Sequence, residues 1–409
     1  MEDRTRCPMT DLSQPRFACS LSTATDSSAA LKEAVEGLEA GLDGEAPDLV
    51  VAFATHHHGE ALEGLGPRVA RATGASALVG CTAESVIGDG REIEGRPGIA
   101  LWSARLPGTE VRPFTIGAHQ GEDGEPAFTG MPPIGQPERS SVLLLADPYT
   151  FPTDPFLGQL NERFAGVPVM GGMASGAMGT GQSLFFTAEG VRESGSIGVV
   201  LEGDVELRPV VSQGCRPIGK PWVITACEEN RIQRLGGRAA LEVLMETWHG
   251  LTPEDQALMQ SAPFMGLAID ATKRTFERGD FLVRGIMGLN QADRSIAVAD
   301  YVRRGQTVQL LVRDAASAGE DLLHLMGAQG GGALTGDQTN AGALLFSCNG
   351  RGSRMFGTPD HDVTKVQEGL RSPIPVAGFF AAGEIGPVGG RNFVHGFTAS
   401  VAVFRPREA

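Results

Sequence analysis

Three glycine-rich segments recur along this chain, and they restrict its fold more than any other feature of the sequence. Aligned without a gap, each segment has glycine at its second position, alanine at its fifth and glycine at its tenth; the segments are residues 79–88, 170–179 and 377–386. Glycine inside strand-like sequence marks a turn or a close approach of two backbones. The recurrence predicts a duplicated unit, with Gly80, Gly171 and Gly378 at matching positions.

Similar elements flank each segment. Apolar strand candidates precede the three segments at residues 49–55, 142–146 and 343–347, and others follow at residues 99–104, 197–201 and 398–404. A helix-like stretch lies between the first strand and the shared glycine, most clearly at residues 154–164, where Asp154 is the expected N-cap. The predicted unit is strand, helix, glycine-rich strand or turn, and strand. Residues 264–270 with 281–313 indicate a degenerate fourth copy without the helix.

The units predict a mixed α/β fold (α+β mixed), in which duplicated strand-helix-strand-strand units form two similar sheet-based domains covered by helices. Amphipathic helices are predicted at residues 26–42 and 239–248, and Val363, Val366 and Leu370 mark a third. Residues 1–25 are expected to be a mobile lead, and residues 119–139 a long surface loop. The predicted divisions of the 409-residue chain are an N-terminal lead and helix, a first domain and a second domain, at residues 1–45, 46–236 and 237–409.

Charge and composition exclude several classes of protein. With 34 basic and 49 acidic residues the net charge is −15, which does not suit a nucleic-acid-binding protein. The apolar runs are far shorter than the roughly 20 residues of a membrane helix, so no membrane insertion is expected. No signal peptide is evident, and we expect a cytoplasmic protein. The six cysteines are scattered without a C-x-x-C pair, which predicts free thiols and no metal site.

Polar residues follow three of the predicted strands, where open α/β sheets bind their ligands. They occur at residues 55–58, 147–149 and 347–352. The last of these is the most informative, because two glycines leave backbone N–H groups free to form an anion-binding nest beside an arginine. The predicted ligand-binding residues here are Cys348, Asn349, Gly350, Arg351 and Gly352. The alternative is a tight turn whose arginine pairs with a surface acid.

Cys348 has two interpretations. A nest and an arginine beside a thiol lower its pKa, which would make Cys348 more reactive than the other cysteines. The alternative is a buried, inert thiol.

A second glycine-rich segment carries further ligand-binding candidates, namely Phe380, Glu384, Arg391 and His395. We expect it to meet residues 348–352 at one pocket, with Arg351 holding a carboxylate and Glu384 holding an ammonium or hydroxyl group. Such opposite charges suit an amino acid or another small carboxylate. The alternatives are structural ion pairs, either between Glu384 and Arg391 or between Glu384 and Arg351.

Histidines and catalytic motifs provide weaker indications. Of the run at residues 56–58, at most His56 and His58 can share a face of an extended chain. A metal or haem ligand there competes with a solvated loop. Neither G-x-S-x-G nor H-E-x-x-H occurs, so no catalytic residue is assigned.

The segments 79–88, 171–179, 212–219, 235–239, 346–352 and 378–386, with Thr225 and residues 397–398, resemble those of FIST proteins (F-box and intracellular signal transduction). The resemblance implies a FIST N-terminal domain followed by a FIST C-terminal domain, in a sensory protein that binds small ligands such as amino acids. Some bacterial members are similar to haem-dependent nitric-oxide sensors, so haem is an alternative cofactor. Animal relatives carry an F-box, for which the first 45 residues are too short.

Three functional hypotheses follow. The chain is a ligand-binding sensor, an enzyme that uses Cys348, or a haem-binding gas sensor. Because no signalling module is fused to it, a sensor would act through a separate downstream signalling protein. The sequence leaves homo-oligomerisation open.

Overall fold

A computed structural model describes residues 13–122, 124–329 and 340–407. In these residues the strands form four sheets, two of six strands and two of seven. None of the described helices has the length and apolar character needed to cross a membrane. The mixed α/β prediction is confirmed, with two sheets in each half of the chain.

The first unit places four strands side by side in the order β1-β6-β2-β3, and only β2 and β3 run parallel. Its elements are β1 (Arg16–Ser22), α1 (Ser27–Gly41), β2 (Leu49–Thr55), a 3-10 helix (His56–Gly64), α2 (Leu65–Thr73), β3 (Ala77–Ala83), β4 (Val86–Gly88), β5 (Arg91–Ile93) and β6 (Ile99–Arg105). The predicted helix 26–42 is confirmed as α1, because the Asp26 side chain caps it and Leu31, Val35 and Leu38 bury one face.

The expected mobile lead is wrong for residues 16–22, which form β1. Phe17 anchors this strand, with its ring centroid 5.4 Å from that of Trp102 on β6. Alternate serines, Ser20 and Ser22, are also buried, so the strand lacks the strong apolar pattern that would have revealed it.

The second unit repeats the arrangement in the order β7-β13-β9-β10. Its elements are β7 (Thr109–Gln120), β8 (Pro126–Thr129), a 3-10 helix (Pro137–Arg139), β9 (Ser140–Ala146), α3 (Thr153–Arg163), β10 (Val169–Met173), β11 (Phe185–Thr187), β12 (Val191–Arg192) and β13 (Ser196–Gly203). The predicted loop 119–139 is wrong in part, because β8 pairs with β7 there. The N-cap of α3 is Pro152 instead of Asp154.

The third unit begins with a strand, is interrupted by the whole fourth unit, and then resumes. The first strand is β14 (Val205–Gln213). The fourth unit consists of β15 (Cys215–Glu228), β16 (Arg231–Leu235), β17 (Arg238–Ala239), α4 (Ala240–His249), α5 (Pro253–Ser261), β18 (Pro263–Ala268), β19 (Phe281–Asn290), β20 (Ser295–Val298) and β21 (Thr307–Arg313). The third unit resumes with α6 (Ala315–Gln329), β22 (Gly342–Cys348), α7 (Ser353–Phe356), α8 (His361–Leu370), β23 (Val376–Ala381), β24 (Glu384–Val388), β25 (Arg391–His395) and β26 (Thr398–Pro406).

The prediction of a degenerate fourth copy is confirmed. In the fourth sheet the order β15-β21-β18-β19 matches the other units, but β18 and β19 are antiparallel. In the third sheet the corresponding strands, β22 and β23, are parallel. Parallel neighbours need a crossover connection, usually a helix, and the fourth copy lacks that helix.

The shared second glycines of the repeats occupy matching positions, as predicted. Gly80, Gly171 and Gly378 lie on β3, β10 and β23, each opposite a residue of the preceding parallel strand. At all three positions a Cβ would overlap the carbonyl oxygen of that opposite residue. The prediction is wrong at the tenth position of the second repeat. Gly179 lies in a loop before β11. Within β11, Phe186 lies opposite Gly80, as Ile87 and Ile385 of the other two hairpins lie opposite Gly378 and Gly171.

Three hairpins are exchanged in a cycle among the first three units. The hairpin β4–β5 of the first unit pairs with β23 of the third, and β24–β25 of the third pairs with β10 of the second. The hairpin β11–β12 of the second unit pairs with β3 of the first. Each of these sheets therefore includes a hairpin from another unit, and the two halves of the chain interlock.

The main hydrophobic core lies where the first three sheets meet. Aromatic rings from two of the sheets pack there, with centroids 4.9 Å apart for Phe53 and Phe379 and 4.9 Å apart for Trp102 and Phe404. Residues from the second sheet, such as Leu143 and Leu201, complete the same cluster. The core thus depends on all three units at once.

Candidate functional site

A buried ion pair organises the turn that follows β22. Arg351 and Asp362 have side chains only 1% and 0% exposed, and they bind through two hydrogen bonds, Nε to Oδ2 at 2.7 Å and Nη2 to Oδ1 at 2.8 Å. The sequence prediction placed a ligand carboxylate or a surface acid opposite Arg351. The structure instead supplies a buried carboxylate from the start of α8.

Asp362 is held from three sides. Ser347 donates its hydroxyl to Oδ2 at 2.6 Å, and His361 Nδ1 lies 3.0 Å from Oδ1. Burial on its own would raise the pKa of Asp362, but the Arg351 guanidinium holds that pKa well below its usual range. The carboxylate is therefore charged, and Arg351 is rigidly oriented by it.

The exchanged hairpin β4–β5 supports this turn from the other half of the chain. Glu92 accepts a hydrogen bond from the backbone N–H of Val363 at 2.9 Å, at the first turn of α8. Glu94 accepts from both the backbone N–H and the hydroxyl of Ser353, each at 2.9 Å. Burial, with repulsion from Asp362, raises the pKa of Glu92 to about 8. The site is thus assembled from both halves.

Glu384, at the start of the β24–β25 hairpin, is fully buried beside the same turn. Its Oε2 accepts hydrogen bonds from the backbone N–H and the hydroxyl of Thr398, at 3.0 and 2.8 Å. Burial raises its pKa to about 8, although the bonds from Thr398 and Cys348 and the charge of Arg351 act to lower it. The structure therefore brings residues 348–352 and Glu384 together, without an ion pair between Glu384 and Arg351 or Arg391.

Residues 348–352 and Glu384 carry three buried polar atoms that have no hydrogen-bond partner, and Oε2 of Glu92 and Nε of Arg313 on neighbouring side chains are unpartnered as well. The three atoms are Nη1 of Arg351, Oε1 of Glu384 and Oδ1 of Asn349. Buried polar groups almost always find partners, so such atoms call for water or a ligand. Nη1 packs closely against Gly214, where a Cβ would come within 3.0 Å of it. One guanidinium donor and two acceptors of residues 348–352 and Glu384 therefore remain without partners.

A strained aromatic residue lies beside the turn, next to Gly350. Phe397 has a φ of 63°, a left-handed conformation that is costly for a bulky side chain. Its ring lies 4.3 Å from that of Phe264 and 4.7 Å from the guanidinium carbon of Arg313. Arg313 also donates to the carbonyl of Gly350 at 3.4 Å. Strained residues of this kind concentrate at functional sites.

The expectation that Cys348 has a lowered pKa is wrong. Burial raises the pKa of its thiol to about 12, and the nearby Glu384 acts in the same direction. The N–H of Gly350, 3.5 Å from the sulfur, and the charge of Arg351 do not overcome these effects. Because the thiolate is the nucleophile, this environment opposes a catalytic thiol.

We expect Cys348 to react more slowly with iodoacetamide than Cys227, the half-buried cysteine of β15. Burial and Glu384 disfavour the thiolate of Cys348, so little of it is available at neutral pH. Brief labelling of the folded protein followed by peptide mass spectrometry measures the order of modification. Labelling of Cys348 before Cys227 would contradict a raised pKa for the Cys348 thiol. Cys7 lies outside the described residues.

The remaining predicted site residues lie in different surroundings. His395 is buried and its Nε2 lies 2.9 Å from the carbonyl oxygen of Gly386 in its own hairpin, where burial lowers its pKa to about 4. Phe380 packs in the core beneath α8, against Gly352, whose φ is 63°. Arg391 is exposed near the tip of the hairpin and lines a separate cleft. Of these three, only Phe380 contacts the turn at residues 348–352, through Gly352.

The histidine run forms the beginning of the 3-10 helix after β2. The rings of His56 and His57 are stacked with centroids 4.3 Å apart, and His58 is buried with its Nδ1 3.1 Å from the hydroxyl of Ser27. Burial lowers the pKa of His58. Within residues 13–122, 124–329 and 340–407, no three histidine, cysteine or acidic side chains are grouped to hold a metal ion.

Comparison with known proteins now places the chain. Its residues 48–238 match the FIST N domain, and residues 240–387 match the FIST C domain. The chain belongs to the FIST family. Its full-length relatives include an uncharacterised protein of Mycobacterium bovis, 39% identical over 389 residues that cover 95% of this chain and 98% of the relative. Another, from Mycobacterium tuberculosis, is 38% identical over 95% of this chain and 99% of its own length.

Both FIST domains contribute to the cluster. Glu92 and Glu94 lie in the region matched by the FIST N domain, whereas Arg351, Asp362 and Glu384 lie in the region matched by the FIST C domain. Strand β26, which carries Thr398 and pairs with β14, follows the matched region. The cluster is therefore a product of the whole FIST chain.

Several residues around Arg351 and Glu384 could not be predicted from the sequence. Asp362 and Glu92 are single acids in ordinary helix and strand sequence, 11 and 259 positions from Arg351 by their numbers. The neighbouring residues His361 and Asp362 indicate a polar start to a helix. No local pattern indicates that Asp362 or Glu92 is buried. In the sequence, Thr398 and Phe397 stand out only as residues of the family motif.

The pH dependence of stability in this FIST protein should include a contribution from Glu384. Its folded-state pKa of about 8 lies above the usual 4.5, so the folded protein retains a proton that the unfolded chain releases. This contribution therefore stabilises at low pH and is lost as the pH rises toward 8. We expect Glu384→Gln to gain stability relative to wild type between about pH 5 and about pH 8.

Urea midpoints of both proteins at the two pH values provide the measurement. Glu92, which has a similarly raised pKa, is present in both proteins and cancels from the comparison. A constant difference between wild type and variant would show that Glu384 has no raised pKa.

Proposed function

We propose that this FIST protein is a cytoplasmic sensor that binds a small amphoteric molecule, such as an amino acid, at the cluster around Arg351 and Glu384. FIST domains are associated with sensory signal transduction. The observation that carries the proposal is the set of three buried, unpartnered polar atoms on Arg351, Glu384 and Asn349. The positive charge of Arg351 and the negative charge that Glu384 gains when it loses its proton suit a ligand with both a carboxylate and an ammonium group.

The roles of the residues follow from their existing bonds. Arg351 uses Nε and Nη2 for Asp362, which leaves Nη1 for a ligand carboxylate in a fixed orientation. Glu384 uses Oε2 for Thr398, which leaves Oε1 for an ammonium group. Oδ1 of Asn349 is a second acceptor. Such prior ordering lowers the entropic cost of binding.

Proton release should accompany binding. With a pKa of about 8, Glu384 is mostly protonated at neutral pH before the ligand arrives. An ammonium group beside it favours the charged carboxylate, so the proton leaves on binding. Affinity for an amino acid should therefore increase as the pH rises from about 6 to about 8.

Thermal-shift measurements with the common amino acids and small carboxylates test the proposal. We expect an amino acid to stabilise the wild type, and Arg351→Lys, which keeps a charge opposite Asp362 but removes Nη1, to weaken its binding at least about tenfold. Glu384→Gln should weaken it similarly and abolish the dependence on pH. Arg354→Lys, on an exposed ion pair with Glu84, is the control and should bind normally.

Two results would contradict the proposal. One is a stabilising amino acid that binds Arg351→Lys and Glu384→Gln as tightly as wild type. The other is the absence of any stabilising compound together with ordered water molecules filling the cluster in a crystal structure.

The signal would pass to a separate protein, and ligand-dependent retention of a partner from a cell lysate measures that step.

A further inference from the structure

A second cleft lies away from the Arg351 cluster, between the fourth unit and the tip of the β24–β25 hairpin. Its volume is about 640 Å³, within the range of small-molecule sites. The walls come from the loop after β18, the loop before β21 and the hairpin tip, where Gly389 and Gly390 form the turn. Three separate parts of the chain therefore meet here.

The cleft is basic although the protein as a whole is acidic. Four cations line it, Lys273, Arg303, Arg304 and Arg391, against two acids, Asp270 and Asp280. The net charge of the lining is therefore 4 − 2 = +2, whereas that of the whole chain is −15. A local field of opposite sign to the whole molecule attracts anions to this place.

The two acids are already satisfied. Asp280 pairs with Lys273 at 2.5 Å, and Asp270 accepts hydrogen bonds from the backbone N–H and hydroxyl of Thr272 at 2.8 and 2.6 Å. Among the residues that the structure describes, none of the guanidinium groups of Arg303, Arg304 and Arg391 has an ion pair with a carboxylate. Lys273 and the two acids therefore already have partners, whereas the three arginine guanidinium groups are left to bind an anion.

The geometry points to a binding site for a small organic polyanion, a molecule with at least two carboxylate or phosphate groups. We infer this because guanidinium forks match oxyanions bidentately, and three forks exceed what one oxyanion needs. The volume also exceeds that of a single inorganic phosphate and suits a tricarboxylate or a phosphorylated metabolite. Apolar side chains, including Ile269 and Val388, provide contacts for a carbon skeleton.

Isothermal titration calorimetry with citrate, pyrophosphate and acetate tests the inference. We expect citrate or pyrophosphate to bind at least about tenfold more tightly than acetate, with affinity decreasing as the ionic strength rises to about 0.15 M. The tighter of the two identifies carboxylate or phosphate chemistry. Single substitutions Arg303→Ala, Arg304→Ala and Arg391→Ala should each weaken binding at least about fivefold.

Arg274→Ala is the matched control, because Arg274 lies beside Lys273 in the same exposed loop but does not line the cleft. It should leave the affinity unchanged. Equal binding of acetate and the polyanions, equal binding by the variant with all three arginines replaced, or an equal loss in Arg274→Ala would overturn the inference. None of these outcomes bears on the amino-acid site, which depends on Arg351 and Glu384.

Discussion

Asp362→Ala is expected to lower the free energy of unfolding by about 3–5 kcal/mol, because it leaves the Arg351 guanidinium buried without its counter-charge. Both side chains are at most 1% exposed, so water cannot replace the lost carboxylate without disrupting the turn. The hydroxyl of Ser347 loses its acceptor at the same time. Urea unfolding followed by circular dichroism measures the change.

An exposed ion pair in the same region is the control. Arg354 and Glu84 form an ion pair at 2.9 Å, and their side chains are 65% and 37% exposed. Glu84→Ala should therefore lower the free energy of unfolding by less than about 1 kcal/mol. If Asp362→Ala does not fold, the double variant Arg351→Met with Asp362→Leu remains informative. It removes both charges and should be more stable than the single variant. Equal stability of Asp362→Ala and Glu84→Ala would refute the buried-pair assignment.

Gly378→Ala is expected to destabilise the protein by about 3 kcal/mol or more, because the added Cβ would overlap the carbonyl oxygen of Leu345 on the neighbouring strand. The obstacle is backbone in the middle of a buried sheet, so it cannot move as a flexible side chain would. The equivalent changes Gly80→Ala and Gly171→Ala should have similarly large effects, since they meet the carbonyls of Ala52 and Leu144.

Gly285→Ala provides the comparison for this prediction. Gly285 also lies in a strand, β19, but a Cβ there would meet no atom within 4 Å. The urea midpoint of Gly285→Ala should therefore stay close to that of wild type or rise slightly. If the urea midpoints of Gly378→Ala and Gly285→Ala were equal, glycine at residue 378 would not be needed for strand packing.

The hairpin exchange gives the cluster a feature relevant to sensing. The turn after β22 is supported by Glu92 and Glu94 from one exchanged hairpin and contacts Glu384 at the base of another. A ligand that changes the charge of Glu384 would act on an element that joins the third unit to the second. This arrangement offers a physical connection between a binding event and the packing of the two halves.

Repetition within the sequence was enough to predict the repeated unit. The glycines at residues 80, 171 and 378 are required by a contact that recurs in the first three copies, so they leave a visible pattern. The degenerate fourth copy was also predictable, because the missing helix is a local property. Strand β1 was not, since its inward positions include serines that are buried by the neighbouring strand and by α1.

The sequence by itself determined the α/β units, the glycine positions and the candidate turn at residues 348–352, because each depends on neighbours in the chain or on a repeated spacing. Only the tertiary structure decided that Arg351 pairs with Asp362, that Cys348 has a raised pKa and that Arg391 lines a separate cleft. Burial and charge pairing are properties of the surroundings in space. In this protein, three exchanged hairpins bring those surroundings from distant parts of the chain.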